Sequence, residues 1–308
     1  MSDIRSVLKS EPLGNRFSSV LTDADMVRIL GTVAHGLTED TSLSTKEHSS
    51  LQELVALGLV QFKGSLYSQT ALGKEIFRTE IDSLGQNLIS KTGERLHRFI
   101  NKKKSSSDSQ NSIDAQILAK ELIEDLECSA GIANLHPDQI FSDWLSLSMQ
   151  TALLINKMKH EIIVATRYMD FRTAEIAVNQ AKLGRKIRIL HSDRNQSSTK
   201  LQLLGNLMSN PRAASAYEEF SNHPNIQTGE AQIPFSFIVV DRHSVEIEII
   251  NPEDPDTFFL AFYLESPVLA EKLIWLFDDM ARTSREDELR RNLSETEMKK
   301  STKNEITR

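Results

Sequence analysis

Along residues 21–37, LTDADMVRILGTVAHGL, apolar side chains fall at Met26, Ile29, Leu30, Val33 and Leu37. That spacing is the one-sided stripe of a helix, and Thr22 with Asp25 reads as a capping box at its start. A second start follows at Ser44, with Glu47 three residues on. This helix turns Leu51, Leu54 and Val55 inward and stops at Gly58, the usual left-handed cap. The period then changes. Leu59 to Phe62 and Leu66 to Ser68 alternate as strands around Lys63-Gly64, a short hairpin, and another helix opens near Thr70. Ile76, Ile81, Leu84, Leu88, Leu96 and Phe99 predict one long helix from Ala71 to about Phe99. SSSDSQNS, residues 105–112, has the composition of a flexible linker. Beyond it, Ile117, Leu118, Leu122 and Leu126 form a stripe that packs either on its own chain or against a second subunit.

The second half alternates apolar runs with helical periods. Ile140 to Met158 reads as a helix with Trp144, Leu145 and Leu154 on its apolar side. EIIVATRYMD, residues 161–170, is a buried strand running into polar residues, Phe171 to Leu183 is helical, and Gly184 stops it before the strand KIRILHSD. Strand, helix, strand at this spacing implies parallel pairing in an α/β sheet. IPFSFIVVDRHSVEIEII, residues 233–250, adds two strands around an Asp-Arg-His turn. SPVLAEKLIWLFDDMAR, residues 266–282, covers the sheet with a final helix, and the charged tail after Thr283 has too few apolar residues to fold alone.

Composition narrows the class. With 308 residues, 39% hydrophobic and 26% charged, the chain reads as about two globular domains. No apolar run approaches the roughly 18 residues a membrane span needs, and MSDIRSVLKSEPLGN lacks the apolar core of a secretory signal. Cys128 is the single cysteine, which removes intrachain disulfides and thiolate metal clusters and leads us to expect a reducing cytoplasm. The net charge of −7 is unevenly spread: residues 1–105 hold 14 Lys+Arg against 12 Asp+Glu, the remainder 22 against 31. A mildly basic front on an acidic body suits nucleic-acid contact through the front alone.

The order helix, helix, short hairpin, helix resembles a winged helix-turn-helix. LSTKEHSSLQELVALGLVQFKGSLYSQTALGKEI resembles its second half, with the family's leucine spacing, Gly-Leu-Val, an aromatic-bearing wing and Thr-x-x-Gly. The resemblance implies that the helix from about Thr45 to Leu57 lies in the DNA major groove. A helical wheel turns Thr45, Lys46, Ser49, Gln52 and Glu53 away from the leucines, and Lys63 stands in the wing. Only six residues separate Leu37 from Ser44, so the family's second helix is missing or reduced to a turn. The alternative is a winged helix serving as a dimerisation or protein-docking module. Lys91, Arg95, Arg98 and Lys102 to Lys104 are either flanking DNA-backbone contacts or a solvated helix end.

NKMKHEIIVATRYMD, the following helix and KIRILHSD resemble the opening of a phospholipase D-type domain. That superfamily's motif is His-x-Lys, four residues, Asp, six residues, Gly-Ser-x-Asn. With Asp241 on the motif Asp, Pro234 falls at the histidine, Ser236 at the lysine, Glu248 and Ile249 at Gly-Ser, and Asn251 at the asparagine. Proline has no nucleophile and serine no positive charge, so the resemblance implies a kept fold and a lost catalyst. A winged helix joined through helices to such a lobe resembles archaeal sugar-responsive regulators of the TrmB class.

The expected fold class is therefore an α+β N-terminal winged helix at 20–80, a helical connector at 81–129, an α/β phospholipase D-like domain at 130–282 and a charged tail at 283–308. The expected function is a non-enzymatic, sequence-specific regulator that binds double-stranded DNA as a homodimer. The alternatives are a phosphodiester hydrolase and a docking adaptor that never meets DNA. Arg167, Tyr168 and Asp170 at one strand end, His191 and Asp193 at another, and Ser236 with Asp241 are the candidate small-effector site. Against it stands a local pairing of Arg167 with Asp170 and a turn-forming role for Asp241. His136, His160, His191 and His243 lack metal-ligand spacing, and neither a cofactor nor a metal is expected.

Overall fold

The computed structural model describes residues 17–105, 111–167, 171–192, 213–251, 253 and 258–285. Tyr168, Asp170, Asp193, most of the 105–112 segment and the tail beyond residue 285 lie outside the described residues.

The front begins with α1 (Ser18–Leu21) and α2 (Ala24–Ala34). The cap of α2 is Asp23, one residue from the pair the sequence suggested. Its carboxylate accepts from the N–H groups of Asp25 and Met26, so one side chain satisfies two orphan donors. The Thr22 hydroxyl instead donates to the Ser19 carbonyl. After β1 (Leu37–Thr38) and a turn, α3 (Thr45–Ala56) opens on the Ser44–Glu47 capping box read from the sequence. No helix lies between β1 and α3. Leu51 and Leu54 pack inward, whereas Val55 is 38% exposed because it falls a hundred degrees round the helix from Leu54. Gly58 turns the chain at φ 72° into β2 (Val60–Lys63) and β3 (Leu66–Gln69), and β1 adds to β3 to give the order β1-β3-β2.

Thr70 explains its spacing from Gly73. Its hydroxyl accepts from the Gly73 N–H and donates to the Gly58 carbonyl at 2.7 Å, while a Cβ at Gly73 would sit 2.1 Å from the Leu59 carbonyl oxygen. Helix α4 (Ala71–Asp82) continues through a π-helical turn, Ser83–Asn87, into α5 (Leu88–Ser105), so the long helix runs past Phe99. Helix α6 (Asn111–Ala130) folds back on α5, joined by Arg95 to Asp125 and, at 3.1 Å, to Glu121. Leu118, Leu122 and Leu126 are buried in this chain's own core and only Ile117 stays open, at 52%. The stripe offered for subunit contact is thus used internally.

The second half forms β4 (Gln139–Phe141), α7 (Trp144–Lys157), β5 (Glu161–Thr166), α8 (Phe171–Lys182), β6 (Lys186–His191), α9 (Ala213–Asn222), β7 (Ile226–Glu230), β8 (Ser236–Val240), β9 (Ser244–Ile250), β10 (Phe258–Glu265) and α10 (267–285). The expected single helix at 140–158 is divided. Ile140 and Phe141 are drawn into pairing with β10, and the Asp143 carboxylate caps α7 by accepting from the Ser146 N–H. Trp144 (47%) and Leu145 (65%) are exposed, and Leu147, Leu154 and Ile155 supply the buried face. The pattern had also left β7 and β10 unassigned.

The seven strands lie in the order β4-β10-β9-β8-β5-β6-β7, parallel from β5 to β7 and antiparallel elsewhere. One face, with Ile162, Val164, Ile187, Ile238 and Val240, packs on α7, α8 and α9. The other, with Ile163, Phe237, Val245, Ile247 and Phe262, packs on α10 and merges with the front's core in one cluster. Trp275 of α10 lies against Gly31, where a Cβ would stand 2.1 Å from the indole nitrogen, and packs tilted at 4.6 Å from the Phe77 ring. Lys272, 2% exposed, donates to Glu80 (2.6 Å) and to the Ala130 carbonyl (2.5 Å), tying α10 to α4 and α6.

Candidate functional sites

The outer row of α3 is where the wheel placed it. Thr45, Lys46, Ser49, Gln52 and Glu53 are exposed, while Ser50, Leu51 and Leu54 are buried beneath them. Lys46 is not a bare cation. Its ammonium is hydrogen-bonded and ion-paired to Asp25 of α2, which raises its pKa. Arg28 joins the two helices by contacting Asp25 at 2.5 Å and Glu47 at 3.2 Å. Lys63 is exposed on the hairpin beside Phe62 and Leu66, each 43% exposed, with the Phe62 ring 4.6 Å from that of Tyr67. On α5, Arg95 is committed to Asp125 and Glu121, and the Lys91 ammonium lies 3.2 Å from the Cys128 sulfur.

In the sheet, the structure divides the proposed effector residues. Asp241 stands at the far end, where β8 turns into β9 with φ 49° at Asp241 and 58° at Arg242. Its carboxylate accepts from the N–H groups of Lys159 (2.7 Å), His160 (2.8 Å) and Glu161 (3.0 Å). Burial opposes ionisation of Asp241, but these three donors outweigh it and hold the carboxyl below its ordinary value. Five residues of strand, roughly 16 Å, separate it from Ser236, so Asp241 belongs to no common site with the strand ends. The Arg167 side chain leaves as well. Its backbone N–H donates to Ser236 Oγ at 3.2 Å, whereas the residue lines a cavity of about 250 Å³ on the opposite face beside Leu88 and Leu96 of α5.

What converges is a row across the strands. Thr166 pairs with His191, Phe237 pairs with Ala165 so that Ser236 stands beside Thr166, and Ser236 pairs with Glu248. Thr166, His191 and Glu248 line a cavity of about 90 Å³ between the sheet and helices α7 and α8. Two residues along β9, Glu246 is fully buried and accepts from the Thr151 hydroxyl of α7 at 2.8 Å. Burial pushes the Glu248 carboxyl up to about 7, against a hydrogen bond from Ser236 that favours the anion. Burial and the nearby Glu248 charge push Glu246 up to about 8, the Thr151 hydrogen bond again opposing. One oxygen of each carboxylate, Oε2, is buried without a hydrogen-bond partner.

Thr151, Thr166 and Glu246 were missed from the sequence, and Glu248 was noted only as a motif departure. A signal existed: SVEIEII places two carboxylates on one face of a strand that is otherwise apolar. Among the described residues, no cluster of three or more His, Cys, Asp or Glu could hold a metal, and no helix is long and apolar enough to cross a membrane.

No protein-family model matches the chain, and no curated protein matches it. Solved structures are similar in part. TrmBL2, an archaeal chromatin protein, is 12% identical over 86% of this chain and 96% of its own, with a TM-score of 0.36. NucT from Helicobacter pylori is 12% identical over 46% of this chain and 93% of its own, with a TM-score of 0.35. The phosphatidylserine synthase of Haemophilus influenzae Rd KW20 is 12% identical over 42% and 35%, with a TM-score of 0.26. Functional reasoning therefore rests on the residues of this chain.

Proposed function

We propose that this chain is a DNA-binding transcriptional regulator: a winged helix at residues 20–80 with α3 as its groove-reading element, a helical connector, and a non-catalytic phospholipase D-like lobe. The observation that carries the reading is α3 itself. It is pinned from behind by Leu51, Leu54 and the Arg28 contacts, and it presents an exposed polar row with Lys63 of the hairpin alongside. Thr45, Ser49 and Gln52 have side chains suited to base edges or phosphates, and Lys63 to phosphate. Lys46 must exchange Asp25 for phosphate, which lowers its net contribution.

The non-catalytic assignment is supported by the side chains at the sheet row. Phosphodiester cleavage by this superfamily's route needs a nucleophile and a cation around a developing anion. Here Pro234 and Ser236 fill those places, and Glu248, paired with Ser236 across the strands, adds a buried carboxyl. Two-fold operators favour a homodimer. With the α6 stripe consumed, the surface for a second copy is α7, which exposes Leu145, Met149 (60%) and Leu153 (50%) as an i, i+4, i+8 row.

The test is an unbiased genomic pull-down with the purified full chain, followed by salt titration of the enriched sites. Enrichment of one sequence, weakened for all sites alike by Lys63→Ala and changed in base preference by Gln52→Ala, is the expected result. Absence of any enriched sequence, with weak binding abolished at modest salt, refutes the regulator reading.

A further inference from the structure

The cavity between α7, α8 and the sheet combines mostly apolar walls with a buried carboxyl. Its walls are largely aliphatic, from Leu147, Ile155, Ile162 and Val164, while Thr166, Thr173 and His191 also line it and Glu248 enters from the central strand β9. Glu248 is 8% exposed, and its carboxylate is anchored on one side through Ser236, whose oxygen in turn accepts from the Arg167 N–H. Its other oxygen has no hydrogen-bond partner. A buried carboxylate oxygen without a partner is costly to ionise unless something donates to it, and Glu248 is the acidic residue of the cavity lining. Glu246 lies two residues along the same strand face, also with an unpartnered oxygen, and His191 is the other titratable group lining the cavity.

We infer that this cavity is a binding site for a small apolar primary amine, whose ammonium donates to Glu248 while its hydrocarbon part lies against the aliphatic walls. Each part of the guest answers an observed feature. Once ionised, Glu248 only accepts, so a guest that ionises it must donate, and an ammonium gives the charge-assisted form of that bond. The volume of about 90 Å³ restricts the hydrocarbon part to a few carbons. A phosphate or carboxylate guest would oppose the ionisation of Glu248 rather than favour it. Binding ionises Glu248 where that group holds a proton in the empty site, so uptake of the ammonium releases a proton to solvent. The inference does not depend on DNA binding, and its test contains no DNA.

The probe is n-butylamine hydrochloride, set against butan-1-ol and sodium butyrate, with melting temperature and calorimetric heat as readouts. The amine is expected to give a saturable rise of roughly 2–4 °C at about tenfold over half-saturation, with neither control doing so. At pH 6 its heat should vary with the ionisation enthalpy of the buffer, reporting the released proton. Glu248→Gln, checked by circular dichroism to be folded, should weaken amine binding by at least about tenfold, the scale set by losing one charge-assisted hydrogen bond. Equal binding of butan-1-ol, undiminished binding by Glu248→Gln, buffer-independent heat at pH 6, or no saturable response up to about 100 mM amine, well past millimolar affinity, would each overturn the assignment.

Discussion

Replacing Glu248 by Gln should make the protein more stable at alkaline pH and flatten its dependence of stability on pH. Glu248 and Glu246 titrate near 7 and 8 in the folded chain, against an ordinary 4.5. For an acid whose folded value is raised, the native state keeps a proton that the unfolded chain has released. Stability is therefore full below about pH 4.5 and declines as pH climbs through the folded values. Each pKa unit is worth about 1.4 kcal/mol, so the cost reaches about 3 kcal/mol for Glu248 and about 5 kcal/mol for Glu246. Gln keeps the shape of protonated Glu and cannot ionise. Because part of the Glu246 shift comes from Glu248, the single substitution also eases the second carboxyl. Urea unfolding of both proteins at pH 5 and pH 8, with equal slopes, gives the comparison directly. We expect the difference in favour of Glu248→Gln to grow by about 3 kcal/mol between those pH values. A difference that stays constant, or shrinks toward pH 8, refutes the claim that a buried carboxyl is forced to ionise there.

Gly31→Ala drives a methyl into the Trp275 indole, where neither the helix backbone nor the packed ring yields cheaply. It should cost about 2–3 kcal/mol and red-shift the tryptophan emission; an unchanged urea midpoint would mean the front does not rest on α10 as described. Asp241→Ala removes the acceptor of three N–H groups and should cost about 2 kcal/mol at pH 7. Because the folded carboxyl is depressed, its contribution is present above the unfolded value and lost as pH falls through the folded one. The gap between wild type and variant should therefore narrow as pH falls below the ordinary carboxylate value, and a gap that does not change with acidification refutes the capping role. Leu145→Glu with Met149→Glu should leave a 34.8 kDa monomer by sedimentation where the parent chain is dimeric; a monomeric parent removes the second-copy reading.

Much of the local structure was legible in the chain itself. The Ser44–Glu47 box, the Gly58 and Gly184 stops and the β8–β9 turn rest on contacts a few residues apart, so residue identity suffices to place them. The inward rows of α2 and α5, and the outward row of α3, follow equally from helical period. Sheet order, by contrast, depends on which distant strands bury each other's faces. No local pattern says that β9 lies between β8 and β10, and that placement alone makes Glu246 and Glu248 buried charges rather than solvated ones. The same holds for the effector residues: Arg167, Ser236 and Asp241 are spaced like a site in sequence, yet register sends Asp241 to the opposite end of the sheet and turns Arg167 toward α5. Val55, Trp144 and Leu145 were apolar and so read as buried, but burial needs a partner surface, and the tertiary structure spent its partners on Leu51, Leu54, Leu147 and Leu154 instead.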